Sequence, residues 1–342
     1  MIRPLPRVAL AVLAVVALGC TSGTSAQALD KLTFSTDWLA QAEHGGFYQA
    51  LAEGTYKRYG LDVTVKSGGP QVNGLQLLAA KQIDVAMADA LQVTSAIEQK
   101  VPLVTIAATF QKNPTVIIAH MGVAGLADLK GKPVAVASAA NTTFWPWLKE
   151  RYSFTDDQKR PYAFSVQPFL VDKNLSQQGF ATSEPFMIEK GGVKPAVFLL
   201  ADLGYPPYSE ALVVTRDTLA QRGDVLRRFV LASAEGWRSY LANPAPGNAL
   251  IKKANPEMAD DLLAYGHAKM KEYAIVAGED TKTGGLLTMT DARWKSTVDF
   301  LRSAGLAKPD VDYRQAWTLD IVSSPPVFVS SPVTIAYSFI FA

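Results

Sequence analysis

The sequence predicts an α/β fold divided into two lobes. Short apolar runs alternate with helical patterns along most of the chain, which is the pattern of α/β units. A new unit begins after the polar turn at Gly131, and the apolar run 211–215 indicates that the chain then returns to the first lobe. With 342 residues, 49% of them hydrophobic and 19% charged, the chain is long and apolar enough for about two globular domains.

The first lobe is predicted to start with alternating strands and helices. Its strands are short apolar or alternating runs, at residues 31–36, 61–65, 83–88 and 101–109. Helical spacing of apolar residues predicts helices at 46–58 and 71–80. Residues 29–117 are therefore assigned to the first part of this lobe.

Residues 118–210 are assigned to the second lobe, and 211–322 to the return and the C-terminal helices. Further strands are predicted at 115–120, 134–136, 164–169 and 196–200. Helices are predicted at 224–241, 256–273 and 291–304, with a break at 243–247 where Pro and Gly cluster. The tail 323–342 has no charge and contains three prolines, which argues against a membrane span, and no role is assigned to it.

The N-terminus has the pattern of a secretory signal peptide. Arg3 and Arg7 precede an apolar run at 8–18 that is shorter than the ~20 residues of a spanning helix. Small residues follow, ending in Ala26-Gln27-Ala28, an A-x-A cleavage pattern. Residues 1–28 are therefore predicted to be removed on export; the alternative is a buried first helix.

Cys20 is the only cysteine, and it lies inside the predicted signal. Leu18-Gly19-Cys20 resembles the end of a lipoprotein signal, although Ala17 stands where that signal usually has Leu. Two outcomes are open: a lipid anchor at Cys20, or a cysteine discarded with the signal. In both, the mature chain has no internal disulfide and depends on a large core.

Composition and motifs argue against several classes of function. The formal net charge is +2 with both signs interspersed, so a nucleic-acid partner is not expected. His44, His120 and His267 show no metal-ligand spacing, and no G-x-S-x-G motif is present. We therefore predict no catalytic residue, no metal and no cofactor.

In open α/β sheets, ligands lie beyond the carboxyl ends of the strands. That rule selects the polar and aromatic residues that follow the predicted strands: Asp37, Trp38, Gln71, Asp89, Asn141 and Thr142. The alternatives are local roles. Asp37 could cap a turn, Trp38 could be core, and Gln71, Asn141 and Thr142 could simply begin helices.

Four stretches together carry a family resemblance. They are Ser35-Thr36-Asp37-Trp38 with His44-Gly45-Gly46-Phe47-Tyr48; Tyr59-Gly60-Leu61-Asp62-Val63 with Gly68-Gly69-Pro70; Leu78-Ala79-Ala80-Lys81-Gln82-Ile83-Asp84; and Thr182-Ser183-Glu184-Pro185-Phe186. Through these four stretches, residues 32–322 resemble the periplasmic binding proteins for thiamine-pyrimidine precursors, alkanesulfonates and related solutes. The resemblance implies a two-lobed, type II-like periplasmic binding protein with a ligand cleft between the lobes, joined by crossings near 115–120 and 209–213.

The resemblance also implies site residues. The pattern of Asp37, Trp38 and His44 resembles the pyrimidine-precursor branch, in which Trp38 or Phe47 would stack on a flat ring. Glu184 matches a Glu of the aminopyrimidine binders and would accept hydrogen bonds from N–H donors. For Glu184 the alternative is a carboxylate at a helix N-terminus, and for His44 a capping or surface residue.

The function that the resemblance implies is that of the substrate-binding component of an ABC importer. The expected protein is a periplasmic monomer that binds a small heterocycle and meets permease and ATPase subunits. One alternative ligand is a sulfonate, nitrate or another small anion, and one alternative class is a ligand-sensing receptor subunit. Fungal relatives are enzymes with a cysteine-rich iron motif, but this chain has no such cysteine cluster, so an enzyme is not expected.

Overall fold

The computed structural model describes residues 28–69, 72–162 and 165–323, whose strands form two five-stranded sheets. In chain order the strands are β1 Asp30–Ser35, β2 Leu61–Lys66, β3 Val85–Ala88, β4 Leu103–Phe110, β5 Thr115–His120, β6 Val134–Val136, β7 Lys159–Pro161, β8 Ser176–Phe180, β9 Pro195–Leu199 and β10 Ser209–Thr215. The first sheet has the order β2-β1-β3-β10-β4, and the second has β7-β6-β8-β5-β9. The predicted α/β class with two lobes is confirmed.

Each sheet mixes parallel and antiparallel pairs. In the first, β1 is parallel to β2 and β3, while β10 is antiparallel to β3 and β4. In the second, β6 is parallel to β7 and β8, while β5 is antiparallel to β8 and β9. The carboxyl ends of β1 and β3 therefore meet the amino end of β10 at one edge.

Helices cover both sheets. They are α1 Gly45–Ala52, α2 Thr55–Arg58, α3 Gly74–Ala79, α4 Ala90–Glu98, α5 Phe144–Tyr152, α6 Gln167–Val171, α7 Glu184–Lys190, α8 Arg216–Ala242, α9 Ala245–Ala254, α10 Asp260–Glu272, α11 Thr281–Gly284, α12 Asp291–Ser303 and α13 Asp320–Ser323. The helix predicted at 46–58 is divided into α1 and α2, because Gly54 between them has φ +67°. Among the described residues no helix is both long and apolar enough to cross a membrane.

The chain changes sheet twice. It leaves the first sheet after Phe110 and enters the second at Thr115, then returns between Leu199 and Ser209. Both changes fall slightly before the lobe boundaries assigned from the sequence, at 117 and 210. The segment 115–120 is a strand of the second sheet, and residues 111–114 and 200–208 make the connections.

The strand predicted at 164–169 is wrong where the structure describes it, since Gln167–Val171 is helix α6. Pro168 lies in the first turn of this helix, where its missing N–H has no partner to lose. The stretch 164–169 suggested a strand but is too short for its periodicity to decide. The strand that lies between β6 and β5 is instead β8, which the sequence did not predict because it begins with Ser176-Gln177-Gln178.

The predicted helix break at 243–247 is shorter than expected. Only a brief turn follows α8, and α9 begins at Ala245 with proline in its first turn. The helix predicted to start at Pro256 begins at Asp260.

Aromatic packing fixes α1 against the first sheet and α8. Phe47 lies between Phe34, with ring centroids 4.6 Å apart, and Trp237, at 5.8 Å edge-on. Gly45 and Gly46 allow this approach, because a Cβ on Gly46 would lie 2.2 Å from the Trp237 ring. Burial of each such side chain contributes about 1.5–3 kcal/mol, so the turn that precedes α1 is held firmly.

Candidate functional site

A cavity of about 470 Å³ lies between the two lobes. Residues that follow the carboxyl ends of strands line it from both sheets, as do the connections between the sheets. They include Asp37, Trp38, Asp89, Asn113, Ala137, Phe180, Ser183, Glu184, Tyr205 and Glu210. This is the edge at which the strand-end rule placed the ligand site.

The cavity wall is acidic. Four carboxyl groups line it, from Asp37, Asp89, Glu184 and Glu210, and no Lys or Arg is among the described lining residues. Removal of water from such a group raises its energy unless a hydrogen bond or a positive charge compensates for it. The partners of each carboxyl group therefore indicate what the site can bind.

Asp37 follows β1 and binds His44. The Asp37 Oδ1–His44 Nε2 distance is 3.0 Å, and His44 is 1% exposed at the amino end of α1. Burial raises the pKa of Asp37, but the hydrogen bond and the charge of His44 outweigh it, so that the pKa is lowered overall. Asp37 thus remains the ionised group of this wall, held by a histidine that is not itself in the cavity.

Glu210 is the acidic residue that the sequence analysis missed. It is the second residue of β10, is 6% exposed, and adopts φ +53°. One of its carboxyl oxygens lies within 4.8 Å of one of Asp37, while Oε2 is buried with no hydrogen-bond partner among the described residues. Burial first, and the negative charge of Asp37 second, raise the pKa of Glu210 well above its usual value. A Glu directly before the apolar run Ala211-Leu212-Val213-Val214 was the signal available in the sequence.

Asp89 caps α4 and also faces the cavity. Its Oδ1 accepts a hydrogen bond from the Gln92 N–H at 2.8 Å, and Gln92 Oε1 accepts one from the Asp89 N–H at 3.0 Å. Burial raises the pKa of Asp89 to about 6, against the backbone hydrogen bonds of the cap, which lower it.

Glu184 begins α7 and is held by three donors. Oε1 accepts from the Tyr162 hydroxyl at 2.7 Å; Oε2 accepts from the Phe180 N–H at 2.7 Å and the Ser183 hydroxyl at 2.5 Å. Gly179 allows the close fit, since a Cβ there would be 2.8 Å from the Glu184 Cβ. Burial and the charge of Glu184 raise the pKa of Tyr162, so its hydroxyl stays a donor. Glu184 therefore begins a helix and also lines the cavity, and its contact with a ligand stays a prediction.

A family model described as "NMT1/THI5 like" matches residues 41–246, more than half of the chain. The protein belongs to the NMT1/THI5-like family. The match includes the turn that contains His44, the second sheet and all of α8.

Two curated proteins are similar to this NMT1/THI5-like chain. The riboflavin-binding protein RibY of Chloroflexus aurantiacus is 26% identical over 305 residues, which cover 86% of each chain. The formylaminopyrimidine-binding protein of Halalkalibacterium halodurans is 23% identical over 245 residues, which cover 69% of this chain and 74% of that protein.

A solved structure shares the fold. The periplasmic aliphatic sulphonate binding protein SsuA from Escherichia coli superposes with a TM-score of 0.61 at 15% identity, covering 89% of this chain and 97% of that one. At that identity the likeness concerns the fold, and it agrees with the type II-like periplasmic binding protein fold expected from the sequence.

Three of the nine candidate residues lie away from the cavity. Phe47 is wholly buried in the aromatic core, because it faces Phe34 and Trp237. Asn141 binds the Ser138 carbonyl at 3.0 Å and Lys159 Nζ at 2.7 Å, and Thr142 binds the Ala139 carbonyl. These two close a turn whose neighbouring residues, Ala140 and Thr143 among them, line the cavity instead. A further candidate, Gln71, lies outside the described residues.

The remaining candidates lie together. Asp37, Trp38, Asp89 and Glu184 line the cavity, and His44 supports Asp37 from behind. Aromatic lining that the sequence analysis did not identify comes from Phe144, Tyr162, Phe180 and Tyr205. These residues carry no polar strand-end pattern, and so the rule that found Asp37 and Asp89 could not select them.

One group of side chains has the composition of a metal site. Ligand atoms of Asp37, His44 and Glu210 lie within 4.8 Å of one another. A metal-binding histidine normally has its second ring nitrogen fixed by a hydrogen bond. His44 Nδ1 is buried with no hydrogen-bond partner among the described residues, so this support is missing.

Proposed function

We propose that this protein is the substrate-binding component of an ABC importer and that it binds a flat, nitrogen-containing heterocycle between its lobes. The observation that carries the proposal is the cavity wall, where four carboxyl groups and several aromatic rings meet without a Lys or Arg among the described lining residues. Ionised carboxylates only accept hydrogen bonds, so this wall favours a ligand rich in N–H donors. Aromatic side chains supply flat surfaces for the ring.

The two lobes would supply different contacts. Trp38 from the first lobe is half-buried at the cavity wall and would stack on the ring. Glu184 from the second lobe would accept hydrogen bonds from an exocyclic amine or a ring N–H. Because the contacts come from both lobes, the ligand binds the closed form more tightly than the open form and so stabilises the closed form.

A small anion is disfavoured by the same wall. Two like charges 4 Å apart repel by about 1 kcal/mol in water and by about 4 kcal/mol near a protein surface. The carboxylate of Asp37, whose pKa is lowered overall, would face such an anion directly. The sulfonate alternative therefore rests on the shared fold alone.

Cavity size favours a second candidate, a larger fused-ring ligand. The volume of about 470 Å³ lies in the ~300–1,000 Å³ range of cavities for drug-sized ligands, so one pyrimidine ring would leave room. The relative that covers 86% of this chain is named for riboflavin, and the other for formylaminopyrimidine. Both ligands are flat nitrogen heterocycles.

The cellular context follows from the proposal. The N-terminal pattern and the fold support export to the periplasm, with or without a lipid anchor at Cys20, and docking as a monomer on a permease with its ATPase subunits. Residues 1–27 lie outside the described part of the chain, as does the tail from 324 onward.

Titration calorimetry with 4-aminopyrimidine, riboflavin and a short alkanesulfonate tests the proposal. We expect one or both heterocycles to bind at one site per chain and the sulfonate to bind far more weakly. Saturable binding of the sulfonate with no binding of either heterocycle would contradict it.

A further inference from the structure

Asp37 and Glu210 form a carboxyl pair in the cavity wall. A carboxyl oxygen of each lies within 4.8 Å of one of the other, although the two residues come from the end of β1 and the start of β10. Two carboxylates this close repel each other when both are ionised, and Glu210 is buried, so one of the two keeps a proton. The pair therefore carries one negative charge and one proton when no ligand is bound.

The surroundings make Glu210 the group that holds the proton. His44 binds Asp37 at 3.0 Å and stabilises its ionised form. His44 also lies within 4.8 Å of Glu210, but its hydrogen bond goes to Asp37. The other titratable groups that act on Glu210 are the carboxyl groups of Asp37, Glu43 before α1 and Asp89 at the start of α4, which disfavour its ionised form. Its Oε2 is buried without a hydrogen-bond partner among the described residues, yet Glu210 lines the cavity.

We infer that Asp37 and Glu210 form a cation subsite, which takes a protonated amine or amidinium group of the ligand in exchange for their shared proton. The inference rests on the proposed function, because it concerns the same cavity. A ligand cation donates N–H groups to both carboxylates, including the unpartnered Oε2 of Glu210. Charge balances: one ligand cation enters, Glu210 ionises, and one proton leaves to water.

A metal ion fits the pair less well. A divalent cation would recruit His44 as the third ligand, but the second ring nitrogen of His44 lacks the hydrogen bond that normally orients a metal-binding histidine. An organic cation needs only the two carboxyl groups and leaves the bond between His44 and Asp37 in place.

The exchange has a pH signature. Below the raised pKa of Glu210, each cation that binds must release a proton, so affinity rises with pH, by up to about tenfold per pH unit for one proton. A neutral ring of the same shape releases no proton. Asp89 also faces the cavity and titrates at about 6, so its contribution must be separated.

The test uses two probes that match in shape and differ in charge. 4-Aminopyridine is a cation at neutral pH, and 4-aminopyrimidine is neutral. Calorimetry of each in two buffers of different ionisation enthalpy gives the number of protons released. Wild type, Glu210→Gln and Asp89→Asn are compared from pH 6.5 to 8.5, where 4-aminopyrimidine is largely neutral and 4-aminopyridine is largely a cation. Infrared spectra of the unliganded protein follow the carbonyl band of a protonated, buried carboxylic acid.

We expect 4-aminopyridine to release close to one proton and to bind more tightly as the pH rises. Glu210→Gln copies the protonated acid, so it should abolish the release, remove the component of the acid carbonyl band that belongs to Glu210 and weaken 4-aminopyridine by about tenfold or more, with 4-aminopyrimidine little changed. Asp89→Asn should keep the release that belongs to the pair.

Three results would overturn the inference. One is proton release that persists in Glu210→Gln, and another is a carbonyl band that this variant leaves intact. The third is that 4-aminopyridine binds no more tightly than 4-aminopyrimidine. That result would contradict the cation subsite but not the proposed function. If neither ring binds and riboflavin also fails, the proposed function fails with the subsite. If a divalent metal ion binds wild type and this binding is lost in Glu210→Gln and in His44→Gln, the subsite takes a metal ion and not an organic cation.

Discussion

At the scale of single residues, the site is defined by carboxyl groups whose partners differ. Glu184 is held by three donors, Asp37 by His44, and Asp89 by the cap it makes, whereas Glu210 has an unpartnered oxygen. Position after a predicted strand was enough to identify Asp37 and Asp89. Glu210 could not be identified in this way, because it comes near Asp37 only as a result of the strand order β1-β3-β10.

Glu184→Gln tests the predicted ligand contact in the second lobe. The change keeps the shape and removes the charge, so it should weaken binding of an aminopyrimidine by about 1.5–3 kcal/mol, or roughly 10–150-fold. Glu189→Gln is the control, since Glu189 lies on the same helix but is exposed. Calorimetry measures the affinity and thermal unfolding measures stability. A loss of melting temperature with unchanged affinity would leave Glu184 as a helix-end carboxylate only.

The raised pKa of Asp89 predicts a pH dependence of stability. Because the folded state holds the proton up to about pH 6, well above the value of 3.8 for a free Asp, the unfolded state loses it first. The free energy of unfolding should therefore fall as pH rises from about 4 to 6, by about 1–3 kcal/mol from this residue.

Asp89→Asn keeps the helix cap and removes the charge, so that part of the slope should disappear. Asp312→Asn, at an exposed Asp that caps a turn, is the matched control. Urea unfolding at a series of pH values measures the slope. An unchanged slope in Asp89→Asn would show that the carboxyl group titrates normally in the folded protein.

At the scale of elements, strongly apolar strands and long amphipathic helices were predictable, and short or polar elements were not. The central strand β8 was missed because its own sequence is polar. It forms a strand because it pairs with β5 on one side and with β6 on the other. Helix α6 was mistaken for a strand because five residues give no helical period. A helix was predicted around Phe47, but the sequence did not show which of its faces packs on α8. Phe47 lies on that face, against Trp237, and not at the cavity.

The contact between α1 and α8 predicts the effect of a small change at Gly46. Gly46→Ala would place a Cβ 2.2 Å from the Trp237 ring, so the helices must separate, at a cost of about 1–3 kcal/mol or more. Gly223→Ala in α8 is the control, since a Cβ there meets nothing within 4 Å and should change stability by no more than about 0.5 kcal/mol. Denaturant unfolding measures both. Equal stability of Gly46→Ala and wild type would contradict this packing.

At the scale of the whole molecule, two connections join the sheets, at 111–114 and 200–208, and the cavity lies between the lobes that they link. Such a pair of connections allows a hinge and prevents the lobes from moving independently. The sequence predicted this arrangement through one feature, a run of apolar residues that returns to the first sheet after a second unit. The exact residues at which the chain passes from one sheet to the other could not be predicted, because they depend on which strands pair.

Closure around a ligand is the prediction at this scale. A saturating heterocycle that contacts both lobes should shift the population toward a more closed form. Small-angle scattering should then show a smaller radius of gyration, whereas Glu184→Gln at the same ligand concentration should show less of the change. Identical scattering curves with and without saturating ligand would contradict hinge closure.

The central claim is that the acidic, aromatic cavity holds a nitrogen heterocycle. Native mass spectrometry of the protein purified from its own cells tests it most directly, followed by release and identification of the bound molecule. We expect one small molecule per chain, a flat heterocycle with N–H donors or a positive charge, and its loss in Glu184→Gln. A bound sulfonate, nitrate or other anion in that position would contradict the account.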